Sequence, residues 1–226
     1  MILNDKRIRI VVGHYGSGKT EFSVNYAVKL AEQGRKVALA DLDVVNAYFR
    51  SREKAEELSS MGIRVIGSHE SSGSAIDVPA IAADVYSPLQ DESYDVVLDV
   101  GGDPAGARTL GRYHNYFIEG KYDMFFVLNA NRPETQSVDK AIEYLRKIED
   151  MARAKATGIV NTTHLLKSTT VEDVLRGQQL AEQVSEKIGI PIRYVVALEH
   201  VANKLPSNIN GEIFPIKLFM REDWMV

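Results

Sequence analysis

Short runs of consecutive apolar residues alternate along this chain with longer stretches in which apolar positions recur every three or four residues. The first pattern marks strands covered on both faces, and the second marks amphipathic helices. Residues 8–13 (IRIVVG) predict a buried strand. Residues 20–34 (TEFSVNYAVKLAEQG) predict a helix with Phe22, Tyr26 and Leu30 on one stripe and Gly34 as its stop. Further strands are expected at 36–43, 63–67, 94–102, 122–130, 156–163 and 190–198. Helices are expected between them at 51–62, 78–89, about 105–118, 137–152 and 170–189. Pro79 falls in the first turn of its helix, where a missing N–H is tolerated. Seven strands separated by helices predict an α/β fold, a doubly wound and mostly parallel sheet with helices on both faces. No repeat, low-complexity tract or linker breaks the 226 residues, so one domain spanning 1–226 is expected.

Composition narrows the chemistry. Hydrophobic residues make up 45%, charged residues 26%, and the formal net charge is −4. That balance argues against a general nucleic-acid or acidic-membrane binder. The absence of cysteine removes disulfides, thiolate nucleophiles and Cys-ligated metals or clusters. Five histidines are scattered without HxH or HxxxH spacing. No run reaches the roughly 18 apolar residues of a spanning helix, and the N-terminal stretch is too short and too interrupted for a signal peptide. A cytoplasmic protein is expected. Near the C-terminus, Phe214, Ile216, Leu218, Phe219, Trp224 and Met225 are apolar, but Pro215 interrupts the run. Lys217 and Arg221 are balanced by Glu222 and Asp223. This tail is expected to pack on the domain or on a partner rather than on a membrane, which favours a basic polar face. Residues 68–80 (SHESSGSAIDVPA) read as a polar surface loop, at a place where a partner could be sensed.

The chemistry begins at residues 13–20, GHYGSGKT, which fit G-x-x-x-x-G-K-[ST] at every fixed position. Glycines let backbone N–H groups turn inward on phosphate oxygens, Lys19 places a positive charge on the β and γ phosphates, and Thr20 offers a hydroxyl to Mg²⁺. The helix that follows points its positive end at the same anion. The expected nucleotide contacts are Gly13, His14, Tyr15, Gly16, Ser17, Gly18, Lys19, Thr20 and Glu21. A dinucleotide-binding G-x-G-x-x-G frame is rejected, because Glu21 stands where its third glycine belongs and the Lys-Thr pair has no role there.

Two acidic segments, DLDVVN and VVLDVGGD, supply candidates for the metal and the attacking water. Asp99 ends the run DVVLD, where a carboxylate can reach a Mg²⁺ shell, and Gly102 is placed for its N–H to meet the γ-phosphate. Asp41 and Asp43 close the second strand. One is expected to enter the site unless the chain bends at Leu42, with Asp43 near the attacking water and Asp41 near the metal. Asp103 is a catalytic candidate and equally the N-cap of a helix opened by Pro104. Arg108 and Arg112 lie one turn apart on that helix, where either could neutralise charge in a transfer step.

The segments GHYGSGKT, DLDVVN and VVLDVGGD together resemble the MinD/ParA branch of P-loop proteins. That branch includes the nitrogenase iron protein, cobyrinate amide synthetases and dethiobiotin synthetase. The resemblance implies a nucleotide-dependent switch that often dimerises around ATP, with Asp43 orienting water; DVGGD is similar to the iron protein's segment that links its nucleotide site to its cluster, which supports Asp99 and Asp103. Val100 stands where P-loop motors and transporters carry a catalytic Glu. In the MinD/ParA loop a lysine that reaches the partner subunit's nucleotide occupies the position of His14. His14 is therefore read either as a phosphate or subunit contact or as a spacer, with Arg108 one candidate to replace the lysine. In loop shape the chain is also similar to nickel-insertion GTPases. Their guanine-reading N-K-x-D corresponds here to VNTTH, with Asn161 but no Asp, which favours ATP. Asn161 and the stretch ALEH (197–200) are candidate base contacts.

Four functions follow: an ATP-hydrolysing, Mg²⁺-dependent switch that forms a homodimer or acts on a protein partner; an ATP-dependent ligase or amide synthetase; a GTP-dependent metallochaperone; and a non-catalytic nucleotide module. The absence of cysteine disfavours the third. The first is the expectation carried forward.

Overall fold

The computed structural model describes residues 2–43, 55–67 and 77–220, without the side chains of residues 77–82, 104 and 105. The expectations for 51–54, for most of the loop at 68–80, and for Arg221, Glu222, Asp223, Trp224 and Met225 fall outside the described residues.

Strands β1 (Ile8–Gly13), β2 (Lys36–Asp41), β3 (Ile63–Ile66), β4 (Tyr94–Asp99), β5 (Tyr122–Leu128), β6 (Gly158–Asn161), β7 (Ile192–Leu198) and β8 (Glu212–Ile216) form one sheet. Its order is β3-β2-β4-β1-β5-β6-β7-β8. Every neighbouring pair is parallel. The sheet thus has eight strands among the described residues rather than seven. The eighth comes from the tail, whose Pro215 reads as a break. On an edge strand, however, a residue without an N–H is tolerated on the side that faces away from the sheet. Pro215 sits opposite Ala197 in the pairing of β8 with β7.

Helices α1 (Lys19–Glu32) and α2 (Ala55–Ser60) cover one face. Helices α3 (Asp77–Gln90), α5 (Val138–Ala152) and α6 (Val171–Ile188) cover the other, with the short α4 (Pro104–Ala107) and α7 (Glu199–Ala202) at strand ends. Phe22, Tyr26 and Leu30 are at most 1% exposed, so the predicted stripe of α1 is its buried face. Tyr26 stacks on Phe214 of β8 with ring centroids 5.9 Å apart and planes 7° from parallel, which fastens the tail to the core. The predicted helix at 105–118 is only one α-turn. It continues as a 3₁₀ helix over Arg108–Tyr116, and the Thr109 hydroxyl donates back to the Gly106 carbonyl at 2.7 Å.

Charged residues inside the strands, Arg9, Asp95 and Asp123 among them, are also buried. Arg9, in mid-strand, is 2% exposed. It donates to Asp95 through Nη1 and to the Tyr26 hydroxyl through Nε at 3.0 Å. Buried ionic groups persist only when paired in this way.

Strand register places the functional ends together. Asp41 lies opposite Asp99 in the β2–β4 pairing, and Val11 lies opposite Asp99 in the β1–β4 pairing. The strand order reverses at β1, which has β4 on one side and β5 on the other. A crevice opens at the carboxyl end of such a switch point.

Helix α6 approaches this end through Gly177. A Cβ there would overlap Thr163 Oγ1 and Cβ and lie 2.7 Å from Asn161 Oδ1. The Thr163 hydroxyl in turn accepts a hydrogen bond from the Ala130 N–H at 3.0 Å. Alanine favours a helix over glycine by about 1 kcal/mol. Overpacking costs about 1–3 kcal/mol, so Gly177→Ala is expected to destabilise the protein. Urea unfolding measures this, and a gain in stability would show that the contact is not tight.

Candidate functional site

The loop between β1 and α1 is shaped by its glycines. Gly16 and Gly18 hold φ of 69° and 91°, in the left-handed region where side chains are disfavoured. A Cβ on Gly13 would strike the Val127 carbonyl of β5. The loop closes on itself. Ser17 N–H donates to the His14 carbonyl at 3.1 Å, and Lys19 Nζ donates to the same carbonyl at 3.1 Å. It is braced from outside by Arg132, whose Nε donates to the Gly16 carbonyl at 2.8 Å, and by Thr162, whose hydroxyl donates to the Ser17 carbonyl at 2.5 Å.

Lys19 is 6% exposed. Burial pushes its ammonium below the ordinary lysine range, against the opposing pull of Asp99, Asp43 and Asp103. Three of the predicted carboxylates thus surround the predicted lysine. Asp99 is 1% exposed, and burial raises its carboxyl to about 6 despite Lys19, the Thr20 hydroxyl and the Ser23 hydroxyl, all of which favour its charged form. The Ser23 hydroxyl donates to Asp99 Oδ1 at 3.2 Å. A buried carboxylate that stays hard to ionise beside a hydroxyl is a fitting neighbour for a divalent cation, which would supply the missing charge. Among the described residues no group of three or more His, Asp or Glu could hold a metal on its own. Mg²⁺ at Thr20 would therefore depend on phosphate and water for its other oxygens.

Both aspartates of the second strand reach this end. β2 stops at Asp41, whose Oδ1 accepts the Asp43 N–H at 3.0 Å, while the Leu42 N–H donates to the Asp99 carbonyl at 2.8 Å. The chain turns at Leu42, so Asp43 faces the cavity and Asp41 lies against Asp99. Asp103 accepts the Gly106 N–H on its Oδ1, so it caps α4, and it also lies within electrostatic range of Lys19. Gly102 lies directly against the loop. A Cβ there would stand 2.7 Å from Tyr15 N and 3.0 Å from Lys19 Nζ.

Several expected positions lie outside the cavity lining, Gly13 and Ser17 of the loop among them. His14 does not line the cavity: its Nε2 lies 3.2 Å from Glu134 Oε2, and its ring meets Tyr144 edge-on at 5.3 Å. The Tyr144 hydroxyl donates to the Gly102 carbonyl at 2.5 Å, so His14 is a packing link between the loop and Gly102. Asn161 is fully buried. Its Nδ2 donates to the Val174 carbonyl at 3.0 Å, and its Oδ1 accepts the Thr163 N–H at 3.0 Å. That amide braces β6 against α6 and is not available to a base. Arg108 points its guanidinium at Met151, 4.0 Å from the sulfur, and neither it nor Arg112 lines the cavity.

The cavity, about 580 Å³, runs from the loop to an apolar end. Tyr15, Gly16, Gly18, Lys19, Thr20, Glu21 and Asp43 line the phosphate end. The rest of the lining is mainly apolar, with Leu165, Leu166, Ala197, Leu198, Leu218 and Met220 in it, and carries polar side chains from Asn131, Arg132, Thr162, His164 and Thr169. The first two residues of ALEH are therefore in place, whereas Glu199 and His200 are exposed. The wall formed by Leu218 and Met220 went unread in the sequence. Glu21 builds it: its carboxylate accepts the Phe219 N–H and, at 3.2 Å, the Met220 N–H. Asn25 exchanges hydrogen bonds with the Lys217 backbone at 2.8 and 2.9 Å. The spacing of Glu21 and Asn25, i and i+4 on one helix face, was the signal available.

Comparison with known proteins agrees with this geometry. Residues 8–207 match the CobQ/CobB/MinD/ParA nucleotide binding domain. No curated protein matches the sequence. Solved structures of similar fold include FtsY from Mycoplasma mycoides, at 20% identity and a TM-score of 0.58, covering 84% of this chain and 60% of that one. FtsY from Thermotoga maritima is similar at 22% identity and a TM-score of 0.57, covering 82% and 60%. FtsY from Elizabethkingia anophelis in complex with GDP gives 18% identity and a TM-score of 0.54, covering 82% and 55%. The chain spans about 60% of the length of the first two structures, and at these identities the likeness is one of fold. With its phosphate loop, its carboxylates and 200 residues matched, the chain belongs to the CobQ/CobB/MinD/ParA family of P-loop nucleotide-binding domains.

Proposed function

We propose that this chain binds and hydrolyses ATP with Mg²⁺ in the cytoplasm and acts as a nucleotide switch, in a homodimer or on a protein partner. The observation that carries the reading is the cavity itself. One end presents a buried lysine among three carboxylates, and the other is an apolar slot of a size suited to a nucleotide.

In this reading Lys19 and the backbone N–H groups of the loop, apart from that of Ser17, hold the β and γ phosphates. Thr20, Asp99 and Asp41 would hold a Mg²⁺ there, and the ion would neutralise the phosphate charge. Asp43, past the end of β2 and facing the cavity, orients the attacking water. Gly102 is close enough to Lys19 to respond to a γ-phosphate, and its carbonyl is tied to Tyr144. Burial, and then Asp103 and Glu134, push the Tyr144 phenol above its ordinary range, so it stays a donor. A shift of Gly102 on hydrolysis would be felt by Tyr144, His14 and Glu134, at the surface where a partner would read it.

The base end favours adenine. Guanine presents two donors that call for a carboxylate, and the place of that carboxylate is taken by His164. Glu21, which also lines the cavity, already accepts two backbone N–H groups. A guanine reading draws on the FtsY structure solved with GDP, whose similarity reaches only the fold.

The test is titration with Mg-ATP and Mg-GTP, followed by turnover at several protein concentrations. ATP is expected to bind more tightly, with turnover per chain rising with concentration if a dimer forms. Preference for GTP would overturn the base assignment. Lys19→Ala should lower triphosphate affinity by at least about a hundredfold, the scale of losing a charge-assisted contact in a buried site. Asp43→Ala should leave binding within about threefold and slow hydrolysis by about a hundredfold or more. Normal hydrolysis by Asp43→Ala in a single-turnover assay would remove Asp43 from the mechanism.

A further inference from the structure

The electrostatics of the cavity leave one group without a stated task. Lys19 faces Asp99, Asp43 and Asp103, so much of its charge is already engaged. A polyphosphate entering the same space adds further negative charge. Among the described residues that line the cavity, only Lys19 and Arg132 are Lys or Arg.

Arg132 follows β5 in the turn Asn129–Thr135, where Arg132 N–H donates to the Asn129 carbonyl at 3.1 Å and Thr135 N–H to the Arg132 carbonyl at 2.9 Å. The Thr135 hydroxyl ties the turn to the Asn129 carbonyl at 2.8 Å. The backbone of Arg132 is thus fixed. Its side chain is fixed at one point, Nε on the Gly16 carbonyl. The guanidinium lies flat against Gly16, with Cζ and Nη2 each 2.9 Å from where a Cβ would stand. Glycine at 16 therefore serves the loop conformation and also the approach of this cation. The nearby Glu134 is turned toward His14 instead. No ion pair of Arg132 occurs among the described residues.

We propose that Arg132 is a phosphate-contacting residue. Anchored through Nε, it directs its Nη groups at the polyphosphate of the bound nucleotide and is the second cation of the site. The inference rests on the reading of the cavity as a nucleoside triphosphate site. A planar guanidinium with one edge held and the other free suits such a task, because its remaining donors match phosphate oxygens in pairs.

The experiment compares wild type, Arg132→Gln, Arg132→Lys and Lys19→Ala by titration with ATP, GTP, AMP and GMP in Mg²⁺, at low and high salt. Thermal unfolding without nucleotide confirms that each variant is folded. Glutamine keeps a donor for the Gly16 carbonyl but has no charge. Arg132→Gln is expected to weaken binding of the preferred triphosphate about tenfold to a hundredfold. It should weaken its monophosphate by less than about threefold and flatten the salt dependence. Arg132→Lys should recover part of the loss. Equal losses for triphosphate and monophosphate, with no change in salt dependence, would make Arg132 a brace of the loop and overturn the proposal. So would unchanged binding by Arg132→Gln while Lys19→Ala fails to bind. If Lys19→Ala also binds normally, or wild type binds no nucleotide, the nucleotide reading of the cavity fails as well.

Discussion

A single buried cation governs the architecture of this site. Lys19 is almost wholly removed from solvent, and its one hydrogen bond among those described goes to the carbonyl of its own loop. An ammonium in that position is costly unless negative charge surrounds it. The sheet provides that charge. Parallel register sets Asp41 beside Asp99, the turn at Leu42 brings up Asp43, and the glycine-rich segment after β4 brings Asp103 and Gly102. These carboxylates belong to two chain segments, 41–43 and 99–103, distant in sequence from each other and from Lys19, so the sheet must form before they can surround it. The balance is incomplete, because the Asp99 carboxyl remains raised to about 6. The site is built to take up both an anion and a cation.

The second constraint is closeness. Gly13, Gly16, Gly102 and Gly106 each stand where a Cβ would collide with a neighbour, respectively the β5 backbone, Arg132, Tyr15 and Gly101. The phosphate loop is therefore held between β5 on one side and the segment after β4 on the other. Tyr144, reaching from α5 to the Gly102 carbonyl, and His14, packed on Tyr144, carry that contact to the surface at Glu134. In this arrangement His14 has a mechanical task, and the electrostatic one falls to Arg132.

Much of this was legible in the sequence. Continuous apolar runs marked seven strands, because a strand buried on both faces cannot alternate. The phosphate loop and the two carboxylate segments were legible because each needs particular residue types at fixed spacing. What escaped was of two kinds. β8 was masked by Pro215, since a proline reads as a break unless the strand is known to be an edge. Long-range pairings were masked because nothing local records them. Asn161 resembles a base reader in isolation, yet Val174, thirteen residues away, takes its amide. Arg132 sits in a short NRP turn with no motif, and its proximity to Gly16 depends on β5 lying next to β1. The wall formed by Leu218 and Met220 needed a carboxylate 198 residues earlier in the chain to hold it.

The central claim is that one nucleotide spans this cavity, with phosphate at Lys19 and base against the tail. Amide hydrogen exchange with and without Mg-ATP tests it most directly. Slower exchange is predicted in two separate segments at once, residues 15–20 and residues 217–220, with β3 unchanged. Protection of the tail without the loop, or of neither, would contradict the account.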